Sequence, residues 1–178
     1  ETEFIEFQNI GNGVIDLSGV RFSEGLDFDF PLGTTLALGG RILAVRNVMA
    51  FEELYGVGLP IAGVFLNDNF LDNAGDRLTL VDGDDVVIRT LRYNDKAPWP
   101  VVADGDGASL VLVNATENPD HALPESWLAS LVAGGTPGSS DTLIFTGVAG
   151  ADDDGDGLPA LLEFILGPSD AAPEDAGD

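Results

Sequence analysis

The sequence predicts an all-β fold, an antiparallel β-sandwich, and three observations favour it. About eight short apolar and β-branched runs occupy the first 113 residues. Turn-forming residues interrupt these runs, since the chain contains 23 Gly and 10 Pro. No helix long enough for a β-α-β crossover lies between the runs, which argues against a parallel sheet. The apolar fraction of 44% is enough for a buried core.

The first half of the chain alternates strand and turn patterns. Phe4–Phe7 and Gly19–Phe22 are short β-type runs. Asp27–Phe30 alternates polar and apolar residues, as a half-buried strand does. Arg41–Arg46 is a further strand, and Ala50–Tyr55 is predicted to form one or two turns of helix.

The clearest local pattern is a β-hairpin between residues 77 and 93. Leu78–Val81 and Val86–Tyr93 are strand-like, and Asp82–Asp85 between them supplies an Asp-Gly turn. Ser109–Val113 is the last predicted strand. The Pro- and Gly-rich residues 114–140 are predicted to be a loop that Trp127 and Leu128 fix to the sandwich, because large apolar side chains favour burial.

The charge is strongly acidic, with 31 acidic and 7 basic residues giving a formal net charge of −24. Residues 151–178 contain nine acidic and no basic residues. This charge repels phosphate backbones and anionic lipid, so cations, basic proteins or neutral glycans are better partners than nucleic acid. A solubility or high-salt adaptation explains the charge equally well.

Several features bear on the compartment. The chain has no Cys, which excludes disulfides and thiolate metal sites, and no apolar run of 18 residues, so no membrane span is expected. It starts at Glu1 without Met, which suggests a processed or trimmed fragment. The missing leader is therefore no evidence against secretion, but these features do not fix the compartment. The expectation of a secreted, extracellular or cell-surface protein rests on a family resemblance instead.

A set of segments spread over about 135 residues resembles one known family. The segments are Phe4–Phe7, Val14–Gly19, Phe30–Gly33, Arg41–Val45, Asp76–Val81, Tyr93–Gly107, Ser109-Leu110, Trp127 and Gly134–Gly138. In order and spacing they resemble the lamin-tail domain family in its bacterial, secreted form. The resemblance implies an immunoglobulin-like sandwich without known catalytic residues, of a kind found in large extracellular proteins beside hydrolases or calcium repeats.

The chain departs from that family at its first strand. Family members usually have a further strand before the segment that matches Phe4–Phe7. Either that strand was trimmed, or Leu143–Phe145 folds back to cover the open sheet edge, which would otherwise invite association.

Downstream of residue 150, the acidic residues are spaced as in a calcium-binding loop of the EF-hand type. Asp152, Asp154 and Asp156 occupy positions 1, 3 and 5 of the twelve-residue loop, and Gly157 occupies position 6. The carbonyl of Leu158 takes position 7. Glu163 takes position 12, where a bidentate carboxylate is required. The sequence therefore predicts a Ca²⁺ site with Asp152, Asp154, Asp156, Leu158 and Glu163 as ligands.

A single exit helix is predicted to follow this loop. Pro159 suits a first helical position, an apolar face follows, and Gly167-Pro168 ends the helix. No entering helix is predicted, so the half-motif is similar to the calcium repeats of dockerins and of thrombospondin type 3 segments, although only one copy is present. The alternative is a solvated acidic linker. The predicted domains are a sandwich over 1–140, a linker with calcium loop and exit helix over 141–167, and a disordered linker over 168–178.

Other polar groups are weaker candidates. The acidic and amide-rich stretch Asn67–Asp76 is better explained as a connecting loop than as a metal site. Asp104 and Asp106 lack a Glu at the required spacing and are assigned to a turn. His121 is the sole His and lies in a predicted exposed turn, which disfavours His-based catalysis.

The function expected from these observations is a non-catalytic extracellular structural, adhesion or binding module with a calcium-stabilised C-terminal segment. The alternative is a carbohydrate-binding or hydrolase-accessory domain, for which Trp99 and Trp127 are the only tryptophans available as platforms. A weak enzyme using paired carboxylates is a third possibility.

Overall fold

The computed structural model describes residues 2–103, 107–140, 148, 150–152, 155 and 157–159. Over these residues the chain is largely β, with several small sheets and one α-helix. The strands are β1 Phe4–Gln8, β2 Ile15–Asp16, β3 Arg21–Glu24, β4 Thr35–Leu36, β5 Arg41–Val45, β6 Ile61–Val64, β7 Arg77–Val81, β8 Val87–Arg92, β9 Leu110–Leu112 and β10 Trp127–Ala129. Helix α1 spans Val48–Tyr55. The chain divides into two compact units, Glu1–Asp141 and Thr142–Asp178.

The strands form two three-stranded sheets, in the orders β1-β5-β6 and β3-β7-β8, and two pairs, β2-β4 and β9-β10. Strands β5 and β6 are parallel, and the other pairs are antiparallel. The expectation of a purely antiparallel fold is therefore wrong at this pair. The 15 residues from 46 to 60 include α1, and a crossover of that length is sufficient to join two parallel strands.

Helix α1 begins two residues before the predicted turn and is capped at both ends. The Asn47 side chain accepts a hydrogen bond from the Ala50 amide at 3.1 Å, which satisfies one of the free amides of the first turn. Gly56 follows the helix with φ of 84°, a conformation that glycine adopts without steric cost. The helix is therefore an eight-residue element, and its Phe51 is fully buried.

Strand β5 has an apolar cluster on each of its two faces. Alternate side chains of a strand point to opposite sides, so its residues divide between the two clusters. Ile42 and Ala44 belong to the larger apolar cluster, whereas Leu43 and Val45 join Phe51 in a second cluster. The second cluster lies between β5 and α1, with contributions from Phe4, Val48, Tyr55, Leu59 and Ile61. The helix thus covers one face of β5, and the larger cluster covers the other.

The larger cluster draws on both three-stranded sheets. Phe7 of β1 lies 5.0 Å from Phe30 and 6.1 Å from Phe22 of β3, measured between ring centroids. Phe28 and Phe30 are buried while Asp27 and Asp29 are exposed, which confirms the predicted alternation. The predicted strand there is reduced to one isolated bridge, between Arg21 and Asp29.

The predicted hairpin is confirmed. Strands β7 and β8 pair in antiparallel register, and the Asp82 carboxylate accepts hydrogen bonds from the amides of Asp84 at 3.0 Å and Val86 at 2.9 Å. These bonds hold the turn as the Asp-Gly sequence predicts. The register shifts by one residue between Leu80 and Val81.

Residues 114–140 were predicted to be a loop, but they contain a β-strand. Strand β10 lies within them and pairs with β9, so Trp127 is opposite Leu112. Strand alternation directs Trp127 inward and leaves Leu128 59% exposed. The expectation that Leu128 fixes this segment is therefore wrong, and Trp127 has that role without it.

Candidate functional site

The candidate calcium loop begins at Asp152, whose carboxylate binds the backbone amides of two glycines further along the chain. It accepts a hydrogen bond from the Gly155 amide at 2.8 Å through Oδ1 and from the Gly157 amide at 3.1 Å through Oδ2. Gly155 and Gly157 have φ of 79° and 93°. These values lie in the region that favours glycine, and the amides of both glycines donate to the Asp152 carboxylate.

Of the five predicted ligands, Asp152 and Leu158 lie within the described residues. Asp154, Asp156 and Glu163 lie outside them, as do the Asp104 and Asp106 turn, Leu143–Phe145, the predicted exit helix after Pro159 and the linker from 168 to 178. Among the described residues, no group of three His, Asp or Glu side chains is placed to hold a metal ion. The whole ligand set, Asp152 and Leu158 included, therefore stays a prediction from spacing.

The described part of the loop suits a calcium ion in two ways. Calcium takes six to eight oxygen ligands, and Asp152 supplies a carboxylate at position 1 of the loop. Gly157 has the positive φ that the sharp turn at position 6 requires. Leu158 follows directly, at the position whose carbonyl is a ligand in such loops.

The acidic stretch between residues 67 and 76 is a connecting loop in which two carboxylates bind nearby backbone amides. Asp72 accepts from the Ala74 amide at 2.8 Å, and Asp76 from the Arg77 amide at 2.6 Å. The Tyr93 hydroxyl donates to the Asp72 carbonyl oxygen at 2.9 Å. Burial, and then the nearby charges of Asp76 and Asp72, raise the pKa of Tyr93 well above its usual value.

The two tryptophans lie against each other, with ring centroids 6.2 Å apart. Trp99 is only 8% exposed, and the Trp127 indole donates a hydrogen bond to the His121 carbonyl oxygen at 3.0 Å. Trp99 therefore offers no open face on which a sugar could stack. A glycan platform in this part of the chain would have to rest on Trp127 alone, which is partly buried.

The His121 ring is held by contacts with Trp127 and Pro119. Its ring meets Trp127 edge to face at 5.8 Å, and its Nδ1 lies 2.8 Å from the Pro119 carbonyl oxygen. Burial is the main cause that lowers its pKa, with the Arg89 charge acting in the same direction. The side chain is half-buried, so the expectation of an exposed turn is wrong at His121.

The glycine-rich segment 134–138 is hydrogen-bonded to three residues that are distant in sequence, Glu6, Tyr55 and Ser109. The Gly134 carbonyl oxygen accepts from the Tyr55 hydroxyl and from the Ser109 hydroxyl, both at 2.8 Å. A Cβ on Gly134 would lie 2.6 Å from the Tyr55 hydroxyl oxygen, so any larger residue would displace that hydroxyl. Glu6, which sequence reasoning missed, accepts from the Gly138 amide and pairs with Arg41.

Comparison of the chain with family models, with curated proteins and with solved structures finds no match. The resemblance to the lamin-tail domain therefore rests on the sequence segments themselves. Within the described part of the chain, no helix is both long and apolar enough to cross a membrane.

Proposed function

We propose that this chain is a non-catalytic extracellular module, structural or adhesive, whose C-terminal segment binds Ca²⁺. The proposed body is an immunoglobulin-like β-sandwich. Supporting this, the larger apolar cluster takes side chains from both three-stranded sheets, as the interior between two packed sheets does. The β5-α1-β6 crossover would be an addition to that plan.

The observation that carries the calcium proposal is the pair of hydrogen bonds that the Asp152 carboxylate accepts. In a twelve-residue calcium loop, the first carboxylate must face the interior of a tight turn and the sixth residue must reverse the chain. Asp152 accepts from the amides of Gly155 and Gly157, and Gly157 has φ of 93°. A freely solvated acidic linker has no need of either feature.

Calcium would act here by neutralising part of the carboxylate cluster. Residues 151–178 contain nine acidic and no basic residues, so bringing several of these carboxylates together without a cation is electrostatically unfavourable. An ion that binds only the ordered loop stabilises it by about 2.7 kcal/mol when its free concentration is a hundred times Kd. The segment after the first unit would thereby become stiffer in calcium-rich surroundings.

The test is isothermal titration calorimetry with CaCl₂ on the wild type and on Glu163→Gln. We expect one saturable event with Kd of about 10⁻⁴–10⁻³ M, the range of extracellular calcium modules. Glu163→Gln removes the bidentate ligand and should weaken binding by about tenfold or more, since one neutral amide oxygen replaces a carboxylate. The matched control is Asp84→Asn, an exposed carboxylate in another Asp-Gly-Asp turn, which should leave Kd unchanged.

Two results would overturn this proposal. The first is the absence of calcium-dependent heat in the wild type up to several times the expected Kd. The second is an equal loss of affinity in Glu163→Gln and Asp84→Asn, which would indicate diffuse attraction of cations to an acidic surface.

A further inference from the structure

A polar groove of about 420 Å³ lies where β7 begins and β8 ends. Its lining includes Glu24 of β3, Arg77 of β7 and Arg92 of β8. Leu78 and Leu91 of the same two strands pack into the larger apolar cluster. Because side chains alternate along a strand, Arg77 and Arg92 lie on the face opposite that core.

Arg77 and Arg92 are directly opposite each other in the hairpin register. Like charges at opposed positions of an antiparallel pair are destabilising. Glu24 offsets this in part, with its Oε2 3.5 Å from Arg77 Nε. That same carboxylate oxygen accepts a hydrogen bond from the Thr79 hydroxyl at 3.0 Å, so Glu24 is held on the β3 side of the groove.

Arg92 differs from the other basic residues. Five of the seven pair with a carboxylate within 4 Å, and these pairs are Arg21–Asp85, Arg41–Glu6, Arg46–Glu3, Arg77–Glu24 and Lys96–Asp95. Arg89 donates to the Asn118 side-chain oxygen at 2.6 Å. No carboxylate among the described residues lies within that distance of the Arg92 guanidinium, although the chain as a whole is strongly acidic.

We propose that Arg92 and Arg77 bind an oxyanion group in this groove, between the ends of β7 and β8. Guanidinium groups present planar forks of N–H donors that fit the oxygens of carboxylate, sulfate or phosphate groups. An oxyanion between the two side chains would replace their repulsion with two charge-assisted contacts. Glu24 would remain on Arg77 Nε and leave the terminal nitrogens of Arg77 for the ligand.

The charge of the chain limits the ligand to one oxyanion group rather than a polyanion. The groove lining also includes Asp76, so two arginines and two carboxylates make it close to neutral. A net charge of −24 repels a long polyanion over the whole surface, whereas a single group meets mainly its neighbours within a Debye length of about 8 Å. The groove residues belong to the first compact unit, and the predicted calcium loop belongs to the second.

The test is an NMR titration of the arginine Nε–Hε signals with sodium acetate, sulfate and phosphate in separate series, at constant ionic strength maintained with NaCl. We expect saturable shifts of the Arg77 and Arg92 signals with at least one of the three oxyanions. The series that saturates at the lowest concentration identifies the preferred oxyanion. Arg92→Gln should weaken the binding that Arg77 reports by about tenfold, the loss of roughly one charge-assisted hydrogen bond.

The matched control is Arg89→Gln on the same strand, whose side chain lies on the other face and contacts Asn118. It should leave the binding constant unchanged, and Arg92→Lys should retain part of the affinity. The proposal is overturned if the shifts are linear and equal to those of a chloride series. It is overturned as well if Arg89→Gln and Arg92→Gln weaken binding equally. A dispersed spectrum for each variant shows that folding is intact.

Discussion

Replacing Phe51 with Ala tests whether helix α1 is part of the core or an appendage. Phe51 is fully buried and packs on Phe4 at 5.6 Å and on Tyr55 at 4.7 Å, measured between ring centroids. Removing a ring from such a site loses its transfer free energy and leaves a cavity, at a cost of about 3–5 kcal/mol. For a chain of this size, each kcal/mol lowers Tm by about 2–4 °C, so Tm should fall by about 6–20 °C.

Met49 on the same helix provides the control. Its side chain is 81% exposed, so Met49→Ala should change the free energy of unfolding by less than about 0.5 kcal/mol. Both variants are compared with the wild type by urea denaturation and by thermal unfolding followed by circular dichroism. If Phe51→Ala is as stable as Met49→Ala, the second apolar cluster between β5 and α1 contributes nothing, and the reasoning fails.

Two further predictions concern the first unit. Gly134→Ala should lower the free energy of unfolding by more than about 2 kcal/mol, because it combines a φ of 84° with a Cβ placed 2.6 Å from the Tyr55 hydroxyl. The control is Gly39→Ala, where φ is 71° and the added Cβ meets open space, so it should cost only the backbone strain of about 1–2 kcal/mol. Both free energies of unfolding are measured by urea denaturation. Equal losses in Gly134→Ala and Gly39→Ala would refute the steric explanation. The pKa of His121 should be below its usual 6.5 in the folded protein, because burial disfavours the imidazolium. Its contribution to stability is therefore complete above pH 6.5 and is lost as the pH falls through the lower folded pKa. An NMR titration of the His121 ring protons measures this, and a pKa at or above 6.5 would contradict it.

Local patterns in the sequence predicted local structure well. The hairpin follows from the Asp-Gly turn, and the Asp82 carboxylate binds the turn amides as such sequences do. The alternation of Asp27–Phe30 likewise predicted which side chains are buried. These features depend on residues a few positions apart, where turn chemistry and strand periodicity decide the outcome.

Long-range pairing was not predictable from the same patterns. The parallel register of β5 and β6 depends on α1 folding over β5, and a four-residue strand such as Ile61–Val64 gives no directional signal. The groove was missed for a similar reason. A regular hairpin with Val81 opposite Val87 would pair Arg77 with Leu91, and the irregularity between Leu80 and Val81 places Arg92 there instead.

The ligands of the candidate calcium site are predicted mainly from the spacing of acidic residues in the sequence. Position 1 and position 6 can be compared with the structure through Asp152 and Gly157, whereas Asp154, Asp156 and Glu163 are assigned by spacing alone. Spacing is informative there because the ligands of this loop are close in sequence, so the chain itself sets their separation.

The most direct measurement is a crystal structure of the chain grown with CaCl₂, with anomalous data to identify the ion. The account predicts an anomalous peak 2.3–2.6 Å from an Asp152 carboxylate oxygen. A well-ordered turn from Asp152 to Gly157 that has no peak beside it at saturating calcium would contradict the account.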